Sequence, residues 1–219
     1  MNGYGPLEVK VWGDFACFTR PEMKVERVSY PVMTPSAARG VLEAIFWKPE
    51  FRWLVREIRV LSQINYFSIL RNEVNHRASV QTARRRIAGG GGYFAEEEQN
   101  RAQRNTLALR DVCYVIRADI QVRTHVEDHA AKFRDQFRRR VARGQCFYQP
   151  YLGCREFAAY FGQPISGDQP IGQSANLGRM LFDLEYSKDG KGRGLPRFFD
   201  ARLQRGVLQV PVHLYAEGG

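Results

Sequence analysis

DVCYVIRADIQVR (residues 111–123) runs directly into THVEDHAAKFRDQFRRRVARG (residues 124–144). In the first half Val112, Tyr114, Ile116, Ala118, Ile120 and Val122 alternate with Arg117, Asp119, Gln121 and Arg123. Alternation of that kind predicts a strand with one wet face. In the second half the period changes. Val126, Ala130, Phe133, Phe137 and Val141 recur at helical spacing and predict an amphipathic helix docked on a sheet. Thr124 suits the N-cap and Gly144 suits the left-handed residue that ends a helix. A second stripe, roughly a quarter to a third of a turn away, carries His125, His129, Lys132, Gln136, Arg139 and Arg143. It is expected to look along a sheet edge or into a cleft. The alternative is a merely solvated basic face.

Outward from this pair, the chain supplies partners for it. Leu7 to Phe15 alternates and predicts a first strand. Thr19 to Met33 reads as an irregular segment. Thr34-Pro35 then opens a helix that runs to about Trp47, with Val41, Leu42, Ile45 and Phe46 on its apolar side. Phe51 to Ile64 predicts a second strand and Leu152 to Phe161 a fourth. The resulting β-α-β-β-α-β order predicts an α+β, ferredoxin-like (RRM-like) domain over residues 1–163. Residues 164–219 predict a C-terminal antiparallel β extension. Its parts are a strand at Gly178 to Tyr186, a turn region at Ser187 to Gly194, and a hairpin about Arg205-Gly206.

The stretch from about 65 to 110 fits neither period. It holds Arg71, Arg77, Arg84, Arg85, Arg86 and Arg104 around the run Gly89 to Gly92, and it reads as a long, partly mobile basic loop. As a phosphate-binding loop the glycines are a weak signal, because no Gly-Lys-Ser/Thr follows and no strand–turn–helix frame surrounds them. Arginines interleaved with aromatic residues are what RNA contacts require. The candidate RNA contacts are Arg71, Asn72, Arg77, Arg84, Arg85, Arg86, Arg104, Arg139 and Arg143.

Composition narrows the partner class. The chain has 219 residues and a net charge of +10, which favours nucleic acid over other anions. Nonspecific attraction to double-stranded DNA is the weaker alternative. There is no long apolar run and no signal-like N-terminus, so a cytoplasmic protein without membrane contact is expected. The four cysteines are scattered, which predicts reduced thiols and no zinc spacing.

Several stretches resemble the subtype I-C CRISPR-associated protein of the fifth Cas family. They are VWGDFACFTRPE, YPVMTPSAARGVLEAIFWKP, SILRNEV, the Gln103-Arg104-Asn105 triplet, YLGCREF, MLFDLEY and FFDARLQRGVLQVP. The resemblance implies a RAMP protein that cuts precursor CRISPR RNA at the repeat hairpin. It further implies that the protein stays on the mature guide with the other subunits of a surveillance complex. The chemistry needs no metal or other cofactor, because RNA brings its own 2′-hydroxyl nucleophile. The protein must take that proton and steady the phosphate charge. Cleaving relatives carry Tyr before Trp-Lys-Pro and a Lys-His pair on the second helix. Those positions fall on Phe46 and on Lys132-Phe133. Lys132 alone is retained, which leaves His129 or His125 as acid or base. Two readings stay open: a metal-independent endoribonuclease, or a guide-RNA subunit that binds without cutting.

Overall fold

The computed structural model describes residues 5–75, 79–89, 100–124, 129–186 and 194–216. Within them a curled, mostly antiparallel sheet dominates, with three helices. The strands are β1 (Leu7–Ala16), β2 (Arg27–Val28), β3 (Phe51–Val60), β4 (Asn65–Val74), β5 (Arg101–Val122), β6 (Tyr160–Gly162), β7 (Ala175–Glu185), β8 (Leu195–Gln204) and β9 (Val207–Gln209). The helices are α1 (Pro35–Ile45), α2 (Val80–Ala88) and α3 (Ala130–Ala142), with a short 3₁₀ turn at Val212–Tyr215.

The sheet runs in the order β6-β1-β5-β3-β9-β8-β7, with β2 and β4 also paired to β5. The strand that opened the sequence reading is therefore its spine. Tyr114, Ile116 and Ala118 of β5 sit opposite Val11, Val9 and Leu7 of β1, and all six are buried. This inner face takes α1 and α3. Thr34 caps α1, its hydroxyl accepting the amide of Ala37 at 3.2 Å, and Pro35 fills the first turn as the sequence predicts. Phe133, Phe137 and Val141 are the buried stripe of α3.

Four expectations change. The 65–110 stretch is not a loop: β4 and the first half of β5 form a ten-pair antiparallel arm, from Asn65 opposite Arg110 to Val74 opposite Arg101. Beyond it lies α2, capped by Ser79 and with no buried residue. Arg77 and the glycine run past Gly89 lie outside the described residues. Second, the predicted strand 152–161 shrinks to β6. Leu152, Phe157 and Ala159 are buried, but in an irregular segment joined by a single bridge between Tyr151 and Ala158. Third, α3 begins at Ala130 with His129 as its N-cap, six residues after Thr124. Fourth, Thr19 to Met33 contributes β2, parallel to β5.

The C-terminal strands join the same sheet. Ile58 of β3 pairs with Leu208 of β9, and Leu203 of β8 pairs with Leu208 as well. The β8–β9 hairpin turns on Arg205 and Gly206, both at positive φ (46° and 75°), the two-residue turn whose twist matches its strands. A Cβ on Gly206 would meet the carbonyl oxygen of Ile171 at 2.3 Å, so only glycine fits there.

Candidate nucleic-acid interface

The C-terminal ends of α1 and α3 meet over β3. A helix end leaves carbonyls without partners, and at α1 three of them are met from outside. The amides of Phe147 and Tyr148 donate to Ala44 O (2.8 and 3.3 Å), Arg140 donates to Ile45 O (2.8 Å), and the Trp53 indole donates to Phe46 O (2.9 Å). Beneath this cap Phe51 stacks between Phe46 (5.3 Å) and Phe133 (5.2 Å), while Phe137 packs on Trp53 at 4.8 Å. Phe46 and Phe133 are 1% and 0% exposed. Two of the three positions that the resemblance marks as active, the substituted ones, are thus core residues, and neither ring carries a titratable group. The Arg140 guanidinium stands over Phe46 at 5.3 Å.

Lys132 lies in the first turn of α3, exposed, its ammonium 5.9 Å from the Phe133 ring centre. His129 is exposed just before the helix and makes no side-chain capping bond. It therefore does not share a helical stripe with Lys132, although its carbonyl accepts the Lys132 amide at 3.1 Å. His125 lies outside the described residues. Arg139 and Arg143 are exposed at the opposite end of α3 from Lys132.

The arm divides its polar residues by face. Arg84, Arg85 and Arg86 are exposed on α2, and Asn72 faces outward opposite Gln103. Arg104 is half-buried opposite Arg71. Arg71 points inward and pairs with Glu73 (2.8 Å) and Glu156. Arg27 bonds the same two carboxylates at 3.4 and 3.3 Å, which closes a ring of alternating charge at the root of the arm. Burial works against ionisation of Glu156, but its own backbone amide and the two arginines outweigh that and hold it below the usual carboxylate range. Arg27 also reaches the Cys154 thiol at 3.5 Å. The neighbouring Cys17 thiol, with help from Arg27 and against burial, draws the Cys154 thiol below its ordinary range. No sequence pattern marks this cluster, because its members come from four separate segments.

On the sheet face away from the helices, Trp12 and Tyr160 stack at 6.2 Å beside a cleft lined by Asp14, Asp111, Cys113 and Gln163. Lys10 at its edge is bonded to Asp168. Among the described residues, no three His, Cys, Asp or Glu side chains converge as metal ligands, and no helix is long and apolar enough to cross a membrane.

Residues 6–211 match the sequence model of a family described as CRISPR-associated protein (Cas_Cas5). A Thermus thermophilus protein named CRISPR pre-crRNA endoribonuclease Cas5d is 49% identical over 96% of this chain and 93% of its own. A protein of the same name from Mannheimia succiniciproducens is 42% identical over 96% of each. In fold, the chain is similar to a crystal structure of a CRISPR-associated protein. The TM-score is 0.66, at 22% identity, over 96% of this chain and 95% of that one.

Proposed function

The chain belongs to the Cas5d family of CRISPR-associated proteins, and from that membership we propose that it is an endoribonuclease of precursor CRISPR RNA. One observation carries the reading: near-full-length identity of 49% and 42% to two relatives named for that activity. The substrate is the repeat hairpin, and the protein stays on the mature guide as a subunit of the subtype I-C surveillance complex. Nonspecific double-stranded DNA is a further, weaker ligand of the same basic surface.

Cleavage proceeds by attack of the RNA 2′-hydroxyl on the adjacent phosphate and leaves a 2′,3′-cyclic phosphate. Lys132 neutralises the charge that grows on the phosphate. His129, or His125, moves the proton. What supports Lys132 is its exposure on α3 beside a buried Phe133. The β1-α1-β3-β5-α3-β6 portion is read as the ferredoxin-like unit, supported by the strand order β6-β1-β5-β3. Residues 164–219 are read as its β extension.

A second reading has its own observation. Phe46 and Phe133 are buried, which favours a guide-RNA subunit that binds without efficient cutting. Labelled cognate repeat RNA, incubated with purified protein in EDTA, separates the two. Cyclic-phosphate product supports the nuclease. A shifted but uncut RNA supports the binding subunit.

A further inference from the structure

Three large aromatic side chains are exposed where α1 and α3 end together: Trp47 (54%), Phe147 (78%) and Tyr148 (48%). Single exposed apolar residues are ordinary, but a group at one place marks a contact. Trp47 is far from the other two in sequence, and the backbone brings them to one place. Gly144 (φ 61°) turns the chain back at the end of α3, and the Gln145 amide donates to Arg140 O at 2.9 Å. The next residues are then pinned to α1 by the two bonds to Ala44 O. Phe147 and Tyr148 pack edge to face at 5.8 Å, which leaves ring surface open to solvent. The backbone under the rings is fixed, so little order has to be gained when a flat ligand stacks on them.

The charge around the rings selects the ligand. Lys48 follows Trp47, Arg139 and Arg143 flank the α3 terminus, and Arg140 spans the two helices. The nearby acid Glu43 is paired with Arg39 at 2.8 Å. Aromatic faces set among cations fit single-stranded nucleic acid, whose bases stack while its phosphates meet the charges. Resting on the RNA-binding reading above, we propose that Trp47, Phe147 and Tyr148 are a stacking platform for unpaired bases of the RNA. Lys48, Arg139 and Arg143 hold the phosphates between those bases.

The test compares wild type with Trp47→Ala, Phe147→Ala, Tyr148→Ala, Tyr148→Phe and Arg143→Ala. Anisotropy reads affinity for a labelled single-stranded RNA and for the same chain carrying abasic sites, which keeps the phosphates and removes the bases. Thermal melting confirms that each variant folds. Each ring truncation should weaken the intact RNA by roughly tenfold or more, with the salt dependence unchanged. Tyr148→Phe should bind as wild type, because the ring face is what acts. Ring truncation should cost nothing on the abasic chain. Arg143→Ala should lower the salt slope by roughly 0.7. Ring variants that bind the intact RNA within twofold of wild type would overturn the platform. So would ring variants that keep RNA affinity but fail to co-assemble with the other complex subunits, since the rings would then face protein. A wild type that binds no RNA would overturn the RNA-binding reading itself, and the platform with it. RNA binding by a wild type whose ring variants are unaffected removes the platform alone.

Discussion

Lys132 and Phe133 are neighbours, one exposed and one buried, and mutation should separate their effects. Lys132→Ala removes an exposed side chain, so stability should change by no more than about 0.5 kcal/mol. Cleavage in EDTA should nevertheless slow by on the order of a hundredfold, the scale of one lost charge stabiliser. Phe133→Ala opens a hole against Phe51 and should cost about 3–5 kcal/mol in denaturant titration. Equal stability losses in the two would show that α3 docks differently. His129→Ala tests the proton carrier: unchanged cleavage would remove it from the mechanism. The sequence already set Phe133 on the apolar stripe of α3, and that part was legible because periodicity reports burial directly. The meeting of Phe46 and Phe133 on Phe51 was not, because it depends on how α1 crosses α3. His129 was misread for a local reason. Its spacing continued the stripe, but the helix begins after it.

Among the strands, β5 does the work of two. It pairs with β1 and β3 along its second half and with β4 along its first. Asp111 stands at the changeover with φ 54°, a left-handed bend that Asp tolerates and a β-branched residue does not. Asp111→Val should destabilise the protein by roughly 1–2 kcal/mol, whereas Asp111→Gly should be neutral or mildly stabilising. Identical melting of the two variants would deny that the bend matters. Glu57 links three strands, accepting from Gln209 of β9 (2.8 Å), Arg59 of β3 (2.6 Å) and Arg117 of β5 (3.2 Å). Burial opposes its ionisation, but Gln209, Arg59 and Arg117 together hold it below its ordinary 4.5. A depressed carboxyl stabilises the fold above its unfolded pKa and stops doing so as pH falls through the folded value. Glu57→Gln should therefore be less stable than wild type at neutral pH, and the gap should close below pH 4.5. A gap that did not narrow as the pH fell below 4.5 would mean that shape, not charge, holds the strands. The arm itself escaped the sequence reading because its inward face is charged. Arg71 and Glu73 occupy the positions where Phe67 and Ile69 had begun an alternation. For α2 the signal was present in Val80, Ala83 and Ile87, but a helix that buries nothing gives a period no second element to confirm it.

For the molecule as a whole, a net charge of +10 makes RNA affinity steeply dependent on salt. Each phosphate contact should add roughly 0.7–0.9 to the log–log slope, and a flat response would defeat the electrostatic account. The strand path carries a different message, about time. The inner edge of the C-terminal strands closes on β3, and the bonded pair Glu57 and Gln209 are 152 residues apart. A ribosome adds roughly 5–20 residues each second. For at least several seconds after β3 has emerged, its outer edge has no neighbour, and an open edge invites pairing with any other strand. The nascent protein thus passes through an obligatory unzipped interval that the finished one never revisits. Chains stalled before residue 195 should be cut readily within β3 by protease and should be held by a strand-binding chaperone. Chains released after β9 should be neither.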